Sequence, residues 1–243
     1  MPPVTRGWQW ESNPCYPFTT VNANTLRLSA LALCYSVAEY CCPVWQRSTH
    51  VSLVDAQLHS SMRLISGTVQ STALPWLPVL TNIEPPVLWR RAATDKLIMQ
   101  AECHHDWPLY DDVFHPPPLR LESRKPLWRD LQSIDVTSWW REDWQSATVV
   151  NSTLVVDPTI RLPGFDLHRR QWSLLNRFRT GQGHCNACHK KWGFTDNELC
   201  DRAEIQIMSH IVNFCPLTKF DGGLLRLNEA DEAAVDWLTT YGS

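Results

Sequence analysis

Apolar residues recur at intervals of three and four along the first part of this chain, and this spacing strongly constrains its fold. It places one apolar stripe along an α-helix, whereas a half-buried β-strand would need strict alternation. The first stripe consists of Leu26, Ala30, Leu33, Val37 and Tyr40. We therefore predict an amphipathic helix with Asn24 as its N-cap and Pro43 as its end.

A second helix is predicted immediately afterwards. Its apolar stripe consists of Val51, Val54, Leu58, Met62 and Ile65. Gly67 is placed to end this helix, since glycine readily adopts the left-handed conformation of a C-terminal cap. Pro85 and Pro86 are suited to starting a third helix over residues 87–105. Residues 24–105 are therefore predicted to form a compact helical domain, preceded by an unstructured leader at residues 1–23.

The remainder of the chain divides into a connector and a last segment. Residues 106–165 are rich in proline and are predicted to be an irregular connector, with one short helix at SWWREDWQSA and its tryptophans docked on the rest. In residues 166–243, Asp166 is the predicted N-cap of a helix that ends at Gly181. The buried face of that helix is predicted to be Trp172, Leu175 and Phe178. The predicted fold class is mainly α.

Composition restricts the location and the partners of the chain. The net charge of -3 gives no overall attraction to nucleic acid or to an anionic membrane, so any such attraction must be local. The nine cysteines are an odd number, and the N-terminal stretch has no apolar run typical of a signal peptide. The longest apolar run is far shorter than the ~20 residues that span a bilayer. We expect an intracellular protein, cytoplasmic or nuclear, with reduced thiols and no membrane partner.

One stretch of the chain is locally basic. Between positions 169 and 191 there are six lysines or arginines and no acidic residue, with Trp172, Phe178, His184 and His189 among them. Basic residues that neutralise phosphates, beside aromatic rings that stack on bases, are typical of a single-strand-binding surface. The alternative is an ordinary solvated helix face followed by a loop. The candidate nucleic-acid-binding residues are Arg169, Arg170, Arg177, Arg179, Lys190 and Lys191.

Cysteine and histidine residues near the C-terminus have the spacing of a zinc site. Cys200, His210 and Cys215 match three ligands, but Arg202 stands where a fourth thiol is expected, and zinc requires four ligands. The C-x-x-C pair Cys185 and Cys188 supplies substitutes. Together with His210 and Cys215, this pair completes a four-ligand set. The alternatives are buried or idle thiols and, least favoured, a redox motif.

Three stretches of the sequence resemble reverse transcriptases of Jockey-like non-LTR retrotransposons. Residues 30–86, which include ALALCYSVAEYCCPVW, resemble the region that follows the polymerase palm. Residues 169–193 and 208–238, which include NRFRTGQGHCNACHKKWG and MSHIVNFCPLTKF, resemble the far C-terminal end of the same polyproteins. The resemblance covers about residues 23–243.

The resemblance implies a helical thumb at residues 24–105 and a zinc-knuckle-like C-terminal motif that binds RNA. The family pattern C-x-C, seven residues, His, four residues, Cys maps onto Cys200, Arg202, His210 and Cys215, and the glycine after the second cysteine is replaced by Ala203. A structural zinc site contributes about 10–16 kcal/mol and depends on all of its ligands. We therefore predict weak zinc binding or none, unless Cys185 or Cys188 replaces the missing thiol.

The aspartate pair that holds catalytic Mg²⁺ in such polymerases has no counterpart upstream of Asn24. We therefore expect no Mg²⁺ site and no polymerase activity. The predicted function is that of a reverse transcriptase fragment with residual binding of RNA or single-stranded nucleic acid, and with the intact polymerase as a further partner. The alternatives are a helical structural or protein-interaction module and a non-functional remnant.

Overall fold

The computed structural model of the chain describes residues 21–40, 42–45, 48–115 and 135–241. The predicted leader lies outside these residues up to position 20, as do residues 116–134 of the predicted connector. The described residues are mainly helical and contain no β-sheet, which confirms the predicted fold class. The α-helices are α1 (Ala23–Ala30), α2 (Ser36–Glu39), α3 (Cys42–Trp45), α4 (Val51–Ser66), α5 (Trp76–Thr81), α6 (Pro86–Cys103), α7 (Pro108–Phe114), α8 (Val136–Ser146), α9 (Arg169–Thr180), α10 (Asn186–Lys191), α11 (Met208–Asn213), α12 (Gly223–Asn228) and α13 (Glu232–Tyr241).

The first helix begins earlier than predicted and contains a π-helical turn. Its N-cap is Asn22, whose side chain accepts a hydrogen bond from the backbone amide of Thr25 at 2.8 Å, so the predicted cap at Asn24 is wrong. Residues Leu31–Tyr35 between α1 and α2 form the π-helix. A π-helical turn adds a residue and therefore rotates everything that follows it. Pro43 lies inside α3 and does not end the preceding helix.

This rotation overturns the apolar face predicted for the first helix. After the buried Ala30, the next buried side chain is Tyr35, five residues later. Leu33 and Val37 are 70% and 73% exposed, and Tyr40 is 79% exposed, so the second half of the predicted stripe faces solvent. The sequence spacing is that of a regular helix, but the backbone does not follow it.

Helix α4 agrees with its predicted pattern. Leu58, Met62 and Ile65 are almost completely buried, and Gly67 follows the last turn with φ of +67°. Helix α6 begins at Pro86, as predicted from the proline pair. Arg90 on α6 is buried and forms an ion pair with Asp55 on α4, which links these two helices.

The connector docks on the rest of the chain through its tryptophans. Trp140 and Trp144 on α8 are both buried, as predicted. The ring centroids of Trp144 and Trp76 lie 4.9 Å apart, edge to face. The indole Nε1 of Trp144 donates to the carbonyl oxygen of Val155 at 2.9 Å, which holds the chain after α8 against the same cluster.

Helix α9 joins the last segment to the first domain. It begins at Arg169 and not after Asp166, because residues 164–167 form a turn in which the Leu167 amide donates to the Gly164 carbonyl at 3.1 Å. Trp172 packs into the core formed by Leu58, Met62 and Ile65 of α4. The boundary predicted at residue 166 therefore marks a change in composition, but residues on both sides of it pack into one core.

The adjacent part of the buried face of α9 belongs to a C-terminal core. Leu175 and Phe178 pack there with side chains of α11, α12 and α13. The Trp237 indole on α13 donates to the carbonyl oxygen of Thr218 at 2.9 Å, which ties the last helix to the loop after α11. Helix α9 thus lies between two cores, and its arginines are positioned by both.

Candidate nucleic-acid interface and Cys/His segment

The six predicted basic residues do not share one surface. Arg179 is fully buried. Its guanidinium donates to the side-chain oxygens of Asn228 and Asn176 at 2.7 and 3.1 Å, and to the carbonyl oxygens of Pro163 and Asn228 at 2.8 and 2.9 Å. Burial lowers its pKa to about 9. Arg179 is therefore a core residue that holds the chain before α9 against α12, and its assignment to a binding surface is wrong.

Arg169 and Arg177 lie on the side of α9 that faces the end of α4. Arg169 donates to the carbonyl oxygens of Leu64 and Ile65, the latter at 2.6 Å, and Arg177 donates to the carbonyl of Gly67 at 3.3 Å. Carbonyls in the last turn of a helix have no partner within that helix, so these arginines cap α4. A guanidinium has five N–H groups, and each of these two retains donors beyond those bonds.

Together with the exposed Arg170, these arginines line a cleft of about 610 Å³. The α9 side contributes His168 in addition to the arginines, and the far side of the cleft comes from distant parts of the chain. The lining includes His168, Arg169, Arg170, Arg177, His184 and Tyr241. Histidine and tyrosine add hydrogen-bonding groups to the guanidinium groups of the cleft, and Leu174 and Met208 add apolar surface.

The charge of this cleft is not neutralised from within. No carboxylate of the described residues forms an ion pair with Arg169, Arg170 or Arg177. Burial lowers the pKa of Arg169 to about 10, and the neighbouring charge of Arg177 lowers it further. Burial also lowers the pKa of Arg177. Like charges held together in a concave, partly desolvated site attract an anion strongly.

The two predicted lysines lie on α10, away from the arginine side chains of α9. Lys190 pairs with Glu198, with 3.0 Å between Nζ and Oε1, so part of its charge is neutralised. Lys191 is exposed. Of the two lysines, Lys191 therefore keeps more of its positive charge for a ligand, and neither lysine lines the cleft.

Two of the four predicted aromatic residues are buried, and the other two belong to an aromatic row. Trp172 and Phe178 are buried in the two cores and are not available to a ligand. His184 and His189 instead form a continuous row with Trp192 and Phe194, with neighbouring ring centroids 5.3 to 6.2 Å apart. We call these four residues the aromatic ledge. Its inner end, His184, also lines the cleft, whereas the ring of Phe194 at its outer end is 75% exposed.

The end of α10 places Phe194 on the ledge. The amide of Gly193 donates to the Lys190 carbonyl at 3.0 Å and the amide of Phe194 to the His189 carbonyl at 2.9 Å. These two bonds, with Gly193 at φ of +78°, form a Schellman motif, in which the residue after the glycine folds back over the last turn. The glycine next to two lysines and an aromatic residue is a sequence signal from which this ledge could have been predicted.

The first candidate zinc ligand lies on a short hairpin. Leu199 and Ile205 form an antiparallel bridge, and the amide of Cys200 donates to the Glu204 carbonyl at 2.7 Å. Ala203 in this turn has a φ of +61°, a conformation that favours glycine. Ala203, the left-handed residue of the turn, thus occupies the position at which the family pattern has glycine.

The thiols and the histidine are buried, but they do not assemble around one point. Within the described ranges, no group of three or more His, Cys, Asp or Glu side chains is close enough together to hold a metal ion. His210 directs Nδ1 at Glu204 at 3.3 Å, and its buried Nε2 has no hydrogen-bond partner. The Cys185 thiol interacts with Cys188, and burial raises its pKa to about 11. In this arrangement the residues do not form a four-ligand zinc site, and weak zinc binding stays a prediction for measurement.

Comparison of the chain with protein-family models, with curated proteins and with solved structures gives no match. None of the helices in the described part of the chain combines the length and the apolar character that crossing a bilayer requires.

Proposed function

We propose that this chain binds RNA through the arginine cleft between α9 and the C-terminal end of α13. The observation that carries the proposal is the set of three arginines without a carboxylate partner among the described residues, concentrated in one cleft of a chain whose net charge is -3. Guanidinium groups bind phosphates well, because their planar paired donors match two phosphate oxygens.

A polynucleotide fits this surface better than a small anion does. The cleft brings Arg169, Arg170 and Arg177 together, so it offers several phosphate contacts within one surface. The resemblance to the C-terminal end of Jockey-like reverse transcriptases supports the same ligand. We therefore also propose that the chain derives from a reverse transcriptase of that class. Nucleic-acid binding is then the activity of the chain itself.

Fluorescence anisotropy with a labelled 20-nucleotide RNA across a salt series tests this proposal. We expect affinity to fall steeply as salt rises, because bound counterions are released from the phosphates. Arg170→Gln should weaken binding and make the slope of log affinity against log salt shallower by roughly 0.7. Arg170 is exposed, so the variant keeps its fold.

Lys96→Gln is the matched control for charge. Lys96 is exposed on α6, outside the cleft, and its replacement removes the same unit of charge. An unchanged affinity in Lys96→Gln together with a loss in Arg170→Gln places the RNA at the cleft. Salt-independent binding, or equal losses in the two variants, contradicts the proposal.

A second candidate function, protein interaction, is favoured by the exposed apolar face near the N-terminus. Leu33, Val37 and Val54 line a groove of about 490 Å³ between the first helices and α4. As proposed from the resemblance, the partner would be the intact polymerase. Interferometry with a purified Jockey-like reverse transcriptase tests it: Val37→Glu should abolish binding and Arg170→Gln should leave it intact. Failure of Val37→Glu to alter binding rules this face out.

A further inference from the structure

The aromatic ledge adjoins the arginine cleft at a residue that belongs to both. His184 lines the cleft with Arg177 and is also the first ring of the ledge. The Nδ1 of His184 lies 3.1 Å from Nε2 of His189, so the two rings are held together. A strand whose phosphates occupy the cleft can therefore extend from the cleft along the aromatic rings of the ledge.

The outer part of the ledge presents its rings to solvent. Trp192 is half-buried and Phe194 is 75% exposed, although an exposed phenylalanine ring costs free energy in water. The Schellman motif at Gly193 fixes the backbone of Phe194 through the bond to the His189 carbonyl. Phe194 is thus held exposed to solvent on an ordered turn at the outer end of the aromatic ledge.

We infer that the ledge stacks unpaired bases, so that the ligand of this surface is single-stranded RNA and not a duplex. The inference rests on the proposed function. Aromatic side chains stack on bases of any sequence, but bases within a duplex are already stacked on each other and hide their faces. The phosphates of one strand occupy the arginine cleft, and its bases lie along His184, His189, Trp192 and Phe194. Binding is expected to tolerate any base sequence, because every base has an aromatic face.

The test uses the full chain and three RNA probes of equal length in anisotropy measurements. The probes are a single-stranded 15-nucleotide oligouridine, an abasic 15-mer with the same phosphates, and a 15-base-pair duplex. We expect the oligouridine to bind at least tenfold more tightly than the abasic strand, because about tenfold corresponds to the lower range for one stacked base. The duplex should bind no more tightly than the abasic strand.

Phe194→Ala provides the test at residue level, and Phe214→Ala is its matched control. Both phenylalanines are mostly exposed, at 75% and 68%, so neither replacement disturbs a core. Phe194→Ala should lose about tenfold for oligouridine and nothing for the abasic strand, while Phe194→Tyr and Phe214→Ala should bind like the parent.

The outcomes separate the two proposals. Absence of salt-dependent binding to any probe overturns the proposed function and with it this inference. Equal affinity for oligouridine and the abasic strand, tighter binding of the duplex, or an unaltered Phe194→Ala overturns the inference alone and leaves phosphate binding in place.

Discussion

Gly67 lies against Ser173 so closely that a β-carbon on the glycine would be 1.9 Å from the serine hydroxyl oxygen. This contact is the point where α9 crosses the C-terminal end of α4. Asn176 strengthens the crossing, because its side-chain nitrogen donates to the Ser66 carbonyl at 2.9 Å. The arginines of the cleft lie on α9 beside this contact. The position of α9, and with it the cleft, therefore requires that residue 67 has no side chain.

Gly67→Ala should therefore destabilise the chain by about 2–4 kcal/mol, from the left-handed conformation and the clash with Ser173 together. Gly193→Ala is the control, because Gly193 has a similar φ of +78° but a β-carbon at that position would meet no other atom within 4 Å. It should cost only about 1 kcal/mol. Urea unfolding of both variants measures the difference, and equal losses would contradict the close packing of α9 on α4.

Arg179 should matter for stability and not for RNA affinity. Arg179→Met leaves the buried oxygens of Asn176, Asn228 and Pro163 without their donor, and we expect a loss of about 3 kcal/mol in the free energy of unfolding. Arg170→Met removes the same charge from an exposed site and should change stability by less than about 0.5 kcal/mol. The folded fraction of Arg179→Met should bind RNA like the parent in anisotropy measurements. A specific loss of affinity in that fraction would assign Arg179 a binding role after all.

Glu84 should make stability depend on pH. Burial raises the pKa of this carboxyl, so the folded state holds the proton more tightly than the unfolded chain does. The ionised form consequently costs stability at neutral pH, and that cost disappears as the pH falls below the ordinary glutamate value of about 4.3. Glu84→Gln should be more stable than the parent at pH 7 and no more stable at acidic pH. Glu142→Gln, at an exposed position, is the control in thermal unfolding across pH. A stabilisation that is the same at all pH values would contradict the assignment.

Introducing a fourth thiol into the hairpin should create a zinc site. Arg202→Cys supplies the missing ligand, and Ala203→Gly relieves the left-handed alanine, for which we expect about 0.5–1 kcal/mol of stabilisation. Zinc bound per chain, measured by elemental analysis after dialysis, should approach one equivalent in Arg202→Cys and be much lower in the parent. One tight equivalent in both would show that Cys185 or Cys188 already completes the site.

The sequence predicts regular helices well here, because apolar spacing and end signals report them directly. For α4, the stripe from Val51 to Ile65 and the cap at Gly67 agree with the structure. The first predicted helix is present, but its apolar face is wrong after Ala30, because the π-helical turn at Leu31–Tyr35 changes the angle between successive side chains. A π-helical turn cannot be detected from apolar spacing if a regular α-helix is assumed.

The site was only partly predictable. Arg179 lies seven residues after the buried Trp172 and on the same helical face, so its burial could have been anticipated from the spacing. Arg170 and Arg177 share a different face by the same rule. Tyr241 could not have been placed in the cleft, since it comes from α13 and reaches α9 only through tertiary packing.

The π-helical turn at Leu31–Tyr35 also bears on how relatives of this chain should be aligned. A relative one residue shorter between Ala30 and Tyr35 would carry its tyrosine four residues after the alanine, on the same side of an uninterrupted helix. A one-residue gap at this position would then mark a preserved core and not a divergent loop.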